Sequence, residues 1–66
     1  MLNIKKMREN KQLTQRDLSV LLGLKQSTIA MWETGRSMPA SALLPRLAEI
    51  LGCKIDDLFE RWEEMR

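Results

Sequence analysis

Apolar residues recur along this chain at intervals of three and four, the period of a helix with one buried face. In "IKKMREN" Ile4 and Met7 share a side, which predicts a helix over Ile4–Asn10. "TQRDLSVLLG" sets Leu18, Leu21 and Leu22 in an i, i+3, i+4 stripe. Thr14 can cap that second helix while Asp17 returns the bond, a capping box with aspartate in place of glutamate. Gly23 ends it, because glycine accepts a positive φ at a helix C-terminus. A third helix is expected over about residues 26–34, closed by Gly35. A fourth lies between Ser41 and Leu51. Pro45 would break it from within, so its regular part is expected to begin near Leu44 with Pro45 in the first turn. Leu47, Ile50 and Leu51 form its apolar side and Gly52 stops it. A fifth helix is expected from Ile55, with Asp56 and Asp57 at the positive end of its dipole. Ile55, Leu58, Phe59 and Trp62 follow at helical spacing, and Met65 extends the stripe.

Strand signals are missing: no sustained alternation, no Tyr, a single Val, and no Asn-Gly or Asp-Gly pair. The expected fold is all-α, a compact bundle of five short helices in a single domain spanning residues 1–66. The second helix (about 14–22) and the third (about 26–34) are joined by a tight turn of about four residues. That is a helix-turn-helix.

The third helix rewards a closer look. With residues about 100° apart and Gln26 at zero, Ile29 and Trp32 fall near 300° and 240° and must face the core. Glu33 borders them. Ser27, Ala30 and Met31 lie on the opposite side, with Gln26 and Thr28 at its margins. A helix face turned only to solvent tends to carry Glu and Lys. This one carries an amide, hydroxyls and a thioether, which suits close approach to another surface. Gln can bond adenine N6 and N7, Ser and Thr can bond several partners, and Met31 can touch a thymine methyl in a major groove. An ordinary polar helix face is the competing reading.

Charge sharpens the picture. The net charge is +2. Residues 1–46 carry eight basic side chains against the acids Glu9, Asp17 and Glu33, whereas residues 47–66 carry three against six acids. That asymmetry suggests that one end of the molecule meets a polyanion, with chance in a short chain as the competing reading. With no histidine there is no imidazole acid–base group, triad or zinc site, and no glycine-rich phosphate loop occurs. An enzyme is not expected, nor a metal, a cofactor or a small-molecule substrate. The longest apolar run, Val20–Leu22, cannot span a membrane, and "MLNIKKMREN" lacks the apolar core of a secretory signal. A cytoplasmic location is expected, which also fits the lone Cys53. Cys53 reads as a small buried residue, with a redox switch as the remote alternative.

Taken together, "IKKMREN", "LTQRDLSVLLG", "STIAMWETGR", the following Pro39, "LPRLAEILG" and "IDDLF" resemble the Cro/phage-repressor (XRE-like) helix-turn-helix DNA-binding family, in order and at its spacing from about Ile4 to Phe59. The resemblance implies a transcriptional regulator that binds double-stranded DNA. It places Gln26, Ser27 and Met31 at base-reading positions. It places Gln15, Thr28, Thr34 and Arg36 at phosphate-contacting positions, with Gln15 also able to orient Gln26. Arg8 and Glu33 match a partly buried ion pair between the first and third helices. Physics supports that pair, since a carboxylate bordering a buried face is costly without a partner; for Arg8 a direct phosphate contact competes. The chain departs from the family at Lys25, where Ser or Thr usually caps the recognition helix. Lysine cannot cap, and its presence makes sense if it meets a phosphate. It departs again at Gln12, where the family often has Gly.

The apolar stripe of residues 55–66 exceeds what a short helix can bury against four small neighbours. Ile55, Phe59 and Trp62 are therefore assigned to a homodimer face, which the family's fifth helix commonly provides; folding of Trp62 onto its own domain is the alternative. A two-fold dimer would read a short inverted repeat, most simply as a repressor. The rival function is an antitoxin or protein-interaction module that uses the same fold on a partner protein.

Overall fold

Three tight turns, each closed by a glycine at positive φ, divide the chain. Gly23, Gly35 and Gly52 all adopt the left-handed conformation that terminates a helix. The computed structural model describes residues 2–59. It contains α1 (Ile4–Asn10), α2 (Gln15–Leu22), α3 (Gln26–Thr34), a 3-10 turn at Ser41–Leu43, α4 (Leu44–Leu51) and a second 3-10 turn at Ile55–Leu58. Only residues 23–25 separate α2 from α3, one fewer than the turn expected from sequence.

The start of α2 carries the expected reciprocal cap. The Asp17 N–H donates to Thr14 Oγ1 at 3.0 Å, and the Thr14 N–H donates to Asp17 Oδ2 at 2.9 Å. The Thr14 backbone N–H, then the Thr14 hydroxyl, holds the Asp17 carboxyl below its ordinary value. Pro45 sits in the first turn of α4, where its missing N–H has no helical partner to lose. Gln12 is the one non-glycine residue with positive φ among those described, at 59°. It occupies the α1–α2 turn, in a conformation that costs a side chain roughly 1–2 kcal/mol.

The core is built from Leu2, Ile4, Leu18, Ile29, Trp32, Leu47, Ala48, Leu51 and Leu58. Every helix contributes. Leu21 does not: it is 46% exposed, so the second helix buries Leu18 and half-buries Leu22 while Leu21 faces out. Ser19 is buried, its hydroxyl donated to the Arg16 carbonyl at 2.7 Å.

The fifth helix departs most from expectation. Four α-helices are present among the described residues, and the segment at Ile55 is a single 3-10 turn. Phe59 is extended and forms an isolated antiparallel bridge with Leu2. Phe59 leaves helical geometry, and the Asn3 N–H donates to the Leu58 carbonyl at 2.7 Å, so this end of the described chain pairs with the residues just before α1. Ile55, Leu58 and Phe59 therefore do not form one helical stripe. Leu58 is fully buried, while Ile55 and Phe59 are partly exposed. Trp62, Met65 and the acids Glu60, Glu63 and Glu64 lie outside the described residues.

Candidate nucleic-acid interface

Ile29 and Trp32 are buried, and they set the rotation of α3 about its axis. The side chains about half a turn away must then face out. Gln26, Ser27 and Met31 are all exposed, Met31 at 39%. Thr28 is half-buried. Ser27, Ala30, Met31, Thr34 and Arg36 line a shallow open hollow of about 350 Å³ on this face. Helical angle alone puts Ala30 on this outward side. Thr34 completes the same wall because it lies one turn beyond Ala30 and two beyond Ser27.

Lys25 precedes the first turn of α3 in extended conformation and makes no side-chain cap. The helix therefore begins with backbone N–H groups that no side chain satisfies, a favourable place for an anion. Lys25 and Arg36 are both exposed and stand at the two ends of the helix. Thr34 spends its hydroxyl proton on the carbonyls of Ala30 and Met31, at 3.1 and 3.3 Å. Between Asp17 and Glu49 the chain has one acid, Glu33, and that carboxylate points inward.

Behind the interface runs a line of hydrogen bonds. Arg8 Nε donates to Glu33 Oε2 at 2.8 Å and Arg8 Nη2 to Glu33 Oε1 at 3.2 Å, a bidentate pair between α1 and α3. The two side chains are only 10% and 4% exposed. Arg8 Nη1 also donates to the Leu13 carbonyl at 2.7 Å, tying the pair to the α1–α2 turn. Gln15 Nε2 donates to Glu33 Oε1 at 3.0 Å, and Gln26 Nε2 reaches Gln15 Oε1 at 3.5 Å. The sequence suggested that Gln15 could orient Gln26. It did not indicate that Gln15 is itself held by Glu33, since that contact needs α2 and α3 in their folded positions. Burial alone would push the Glu33 carboxyl up, but the bonds from Arg8 and Gln15 hold it below its ordinary value. The bond to Glu33 raises the Arg8 guanidinium further.

Ile55 and Phe59 lie apart from this face in sequence, on the 3-10 turn and the bridge. Burial, then the nearby Asp57, raises the Cys53 thiol, so it stays protonated and unreactive near neutral pH. Among the described residues no helix is long and apolar enough to cross a membrane, and no cluster of His, Cys, Asp or Glu could hold a metal.

Known proteins similar to this chain are helix-turn-helix proteins. A helix-turn-helix family model matches residues 4–58. An uncharacterized HTH-type transcriptional regulator from Archaeoglobus fulgidus is 32% identical, with 92% of this chain and 93% of the relative aligned. A second such regulator, from Methanocaldococcus jannaschii, is 40% identical over 71% of each chain. Multiprotein-bridging factor 1 of Debaryomyces hansenii is 38% identical over 79% of this chain and 35% of its own length.

Proposed function

The chain belongs to the helix-turn-helix family, and from that membership we propose that it is a transcriptional regulator that binds double-stranded DNA sequence-specifically through α3. One observation carries the reading: the outward side of α3 is small and uncharged, with Gln26, Ser27 and Met31 exposed, while a line of bonds from Arg8 through Glu33 and Gln15 reaches Gln26 at its start. Gln26 keeps a second N–H and its carbonyl oxygen, the donor and acceptor that an adenine edge requires. Gln26, Ser27 and Met31 meet bases. Lys25, Thr28, Arg36 and the start of α2 at Gln15 meet phosphates, and Thr34 joins them only by giving up its hydroxyl bonds to the Ala30 and Met31 carbonyls. Such contacts position the protein without carrying sequence information.

The working unit is a homodimer on a short inverted repeat, with recognition helices about 34 Å apart in successive major grooves. Ile55 and Phe59 supply part of its two-fold contact. A bound dimer obstructs polymerase passively, which makes repression the outcome.

Selection of bound duplexes from a random pool tests the proposal directly. A palindromic consensus is expected, and Gln26→Ala should weaken its preference at one base pair per half-site. Failure to enrich any duplex at moderate salt overturns the reading. A second reading, a module that grips a partner protein, is favoured by the similarity to multiprotein-bridging factor 1 and by the exposed Ile55 and Phe59. It predicts no duplex selection and capture of a protein through residues 55 and 59.

A further inference from the structure

We infer that the outward face of α2 is a contact between two copies of this chain, their helices antiparallel about a two-fold axis between Arg16 and Asp17. It is separate from the two-fold contact proposed at Ile55 and Phe59, and it does not depend on the DNA-binding reading.

Leu18 and Ser19 are buried and Leu22 is half-buried, which turns one side of α2 to the core. The opposite side carries an open hollow of about 360 Å³ lined by Leu13, Arg16, Asp17, Val20 and Leu21. Val20 is 71% exposed, more than any other large apolar side chain among the described residues, and Leu21 adjoins it. Two adjacent aliphatic groups in water gain from any surface that covers them. Arg46 of α4 donates to the Leu21 carbonyl at 3.2 Å, which anchors the end of α2 that bears this pair.

The order of the side chains identifies the covering surface. Leu13, Arg16, Asp17 and Val20 stand at i, i+3, i+4 and i+7, the spacing with which one helix meets another. Leu13 lines the hollow from just before the helix. The order is apolar, cation, anion, apolar, and reversed about its midpoint it complements itself. Arg16 then faces Asp17 of the second copy, and Leu13 faces Val20 of the second copy. Each pair occurs twice, as a two-fold contact requires. A partner of one charge would leave a central group opposed: an acidic segment meets Asp17, a basic one meets Arg16. A phosphate backbone fits no better, because Asp17 repels it beside Arg16. Asp17 has an oxygen to offer, since the Thr14 N–H occupies Oδ2 and Oδ1 accepts no hydrogen bond among the described residues. Gln15 lies about 140° round the helix from Val20, so its side towards α3 stays clear of the contact.

The face is small. α2 has eight residues, a rod about 12 Å long, well short of the roughly 800 Å² per partner of a stable interface. Its Kd is therefore on the order of 1 mM. Such a contact acts where copies are already held side by side, which raises their effective concentration.

The test is NMR on the full chain, diluted stepwise from about 1 mM. Amide shifts of Arg16, Asp17, Val20 and Leu21 should move with concentration. In a mixture of isotope-labelled and unlabelled copies, a filtered spectrum should place Leu13 methyls beside Val20 methyls of the other chain. Val20→Glu should weaken association at least about tenfold, because symmetry counts each lost contact twice. Arg16→Glu should weaken it by setting like charges together, and Arg16→Lys should keep it. All three positions are exposed, and circular dichroism confirms that the variants remain folded. Shifts on this face that do not change with concentration overturn the inference. So do contacts between Val20 and residues 60–66 of its own chain, or between Val20 and Val20 across copies, which denote another occupant or another register. None of these outcomes bears on duplex selection, which is scored separately.

Discussion

Replacing Glu33 with Gln removes one negative charge and almost no volume, and it strikes the bond line at its centre. Three hydrogen bonds converge on the Glu33 carboxylate, two from Arg8 and one from Gln15. In Glu33→Gln one of the two oxygens becomes an N–H donor that faces a donor. Arg8 keeps its bond to the Leu13 carbonyl, so its charge is not wholly stranded. Removing one partner of a buried pair costs about 3–5 kcal/mol. With that bond retained and some solvent access, a loss of about 2–3 kcal/mol is expected. For a domain of this size it corresponds to a fall in Tm of roughly 10–20 °C. Urea denaturation followed by circular dichroism supplies the same quantity independently. The pH profile provides a second reading. The Glu33 carboxyl lies below its ordinary 4.5 when folded, so the unfolded chain binds the proton more readily in acid. Its contribution is present in full above about pH 4.5 and is lost as pH falls through the lowered folded value. Glu33→Gln should be flatter in that window, retaining the part due to Asp17. The double variant Arg8→Met, Glu33→Leu should regain most of the stability, because apolar replacement of both partners avoids desolvation. A loss below about 1 kcal/mol in Glu33→Gln with an unchanged acid profile would refute this account of the pair.

Other expectations are more local. Gln12→Gly should stabilise by about 0.5–1 kcal/mol, the relief of left-handed strain less the added flexibility of the unfolded chain; a lower Tm would contradict it. Gly35→Ala should lose roughly 1 kcal/mol although the space beside it is open, because φ is +81° there. Arg36→Ala should reduce the slope of log affinity against log salt by about 0.9 per half-site and leave the base preference unchanged, as a phosphate contact requires. A maleimide should label Cys53 slowly at pH 7 and faster as pH rises, followed by mass spectrometry.

Much of the architecture could be read from local signals, because local signals were what formed it. The α1 boundaries, the Thr14–Asp17 box, Pro45 in the first turn of α4 and the three glycine stops each involve residues within about one helical turn of one another. The outward face of α3 followed from two large apolar groups on a rod of known pitch. Periodicity was a poorer guide at Leu21 and Ile55. Leu21 satisfies the spacing of a buried stripe, yet it stays 46% exposed, with Arg46 of α4 reaching only its carbonyl.

Residue order alone thus determined the helices, their caps, the rotation of α3 and the cations at its ends. The folded arrangement decided what depends on groups far apart in the chain. The Asn3 N–H meets the Leu58 carbonyl across 55 positions, where the described chain turns extended at Phe59. Arg8 meets Glu33, and Gln15 joins Glu33 to Gln26, only once α1, α2 and α3 have docked. The hollow beneath Met31 likewise needs Arg36 returned beside it by the turn at Gly35. A helical period reports neighbours three or four residues away; which carbonyl a distant N–H will reach is set by packing, where the whole core chooses among competing partners.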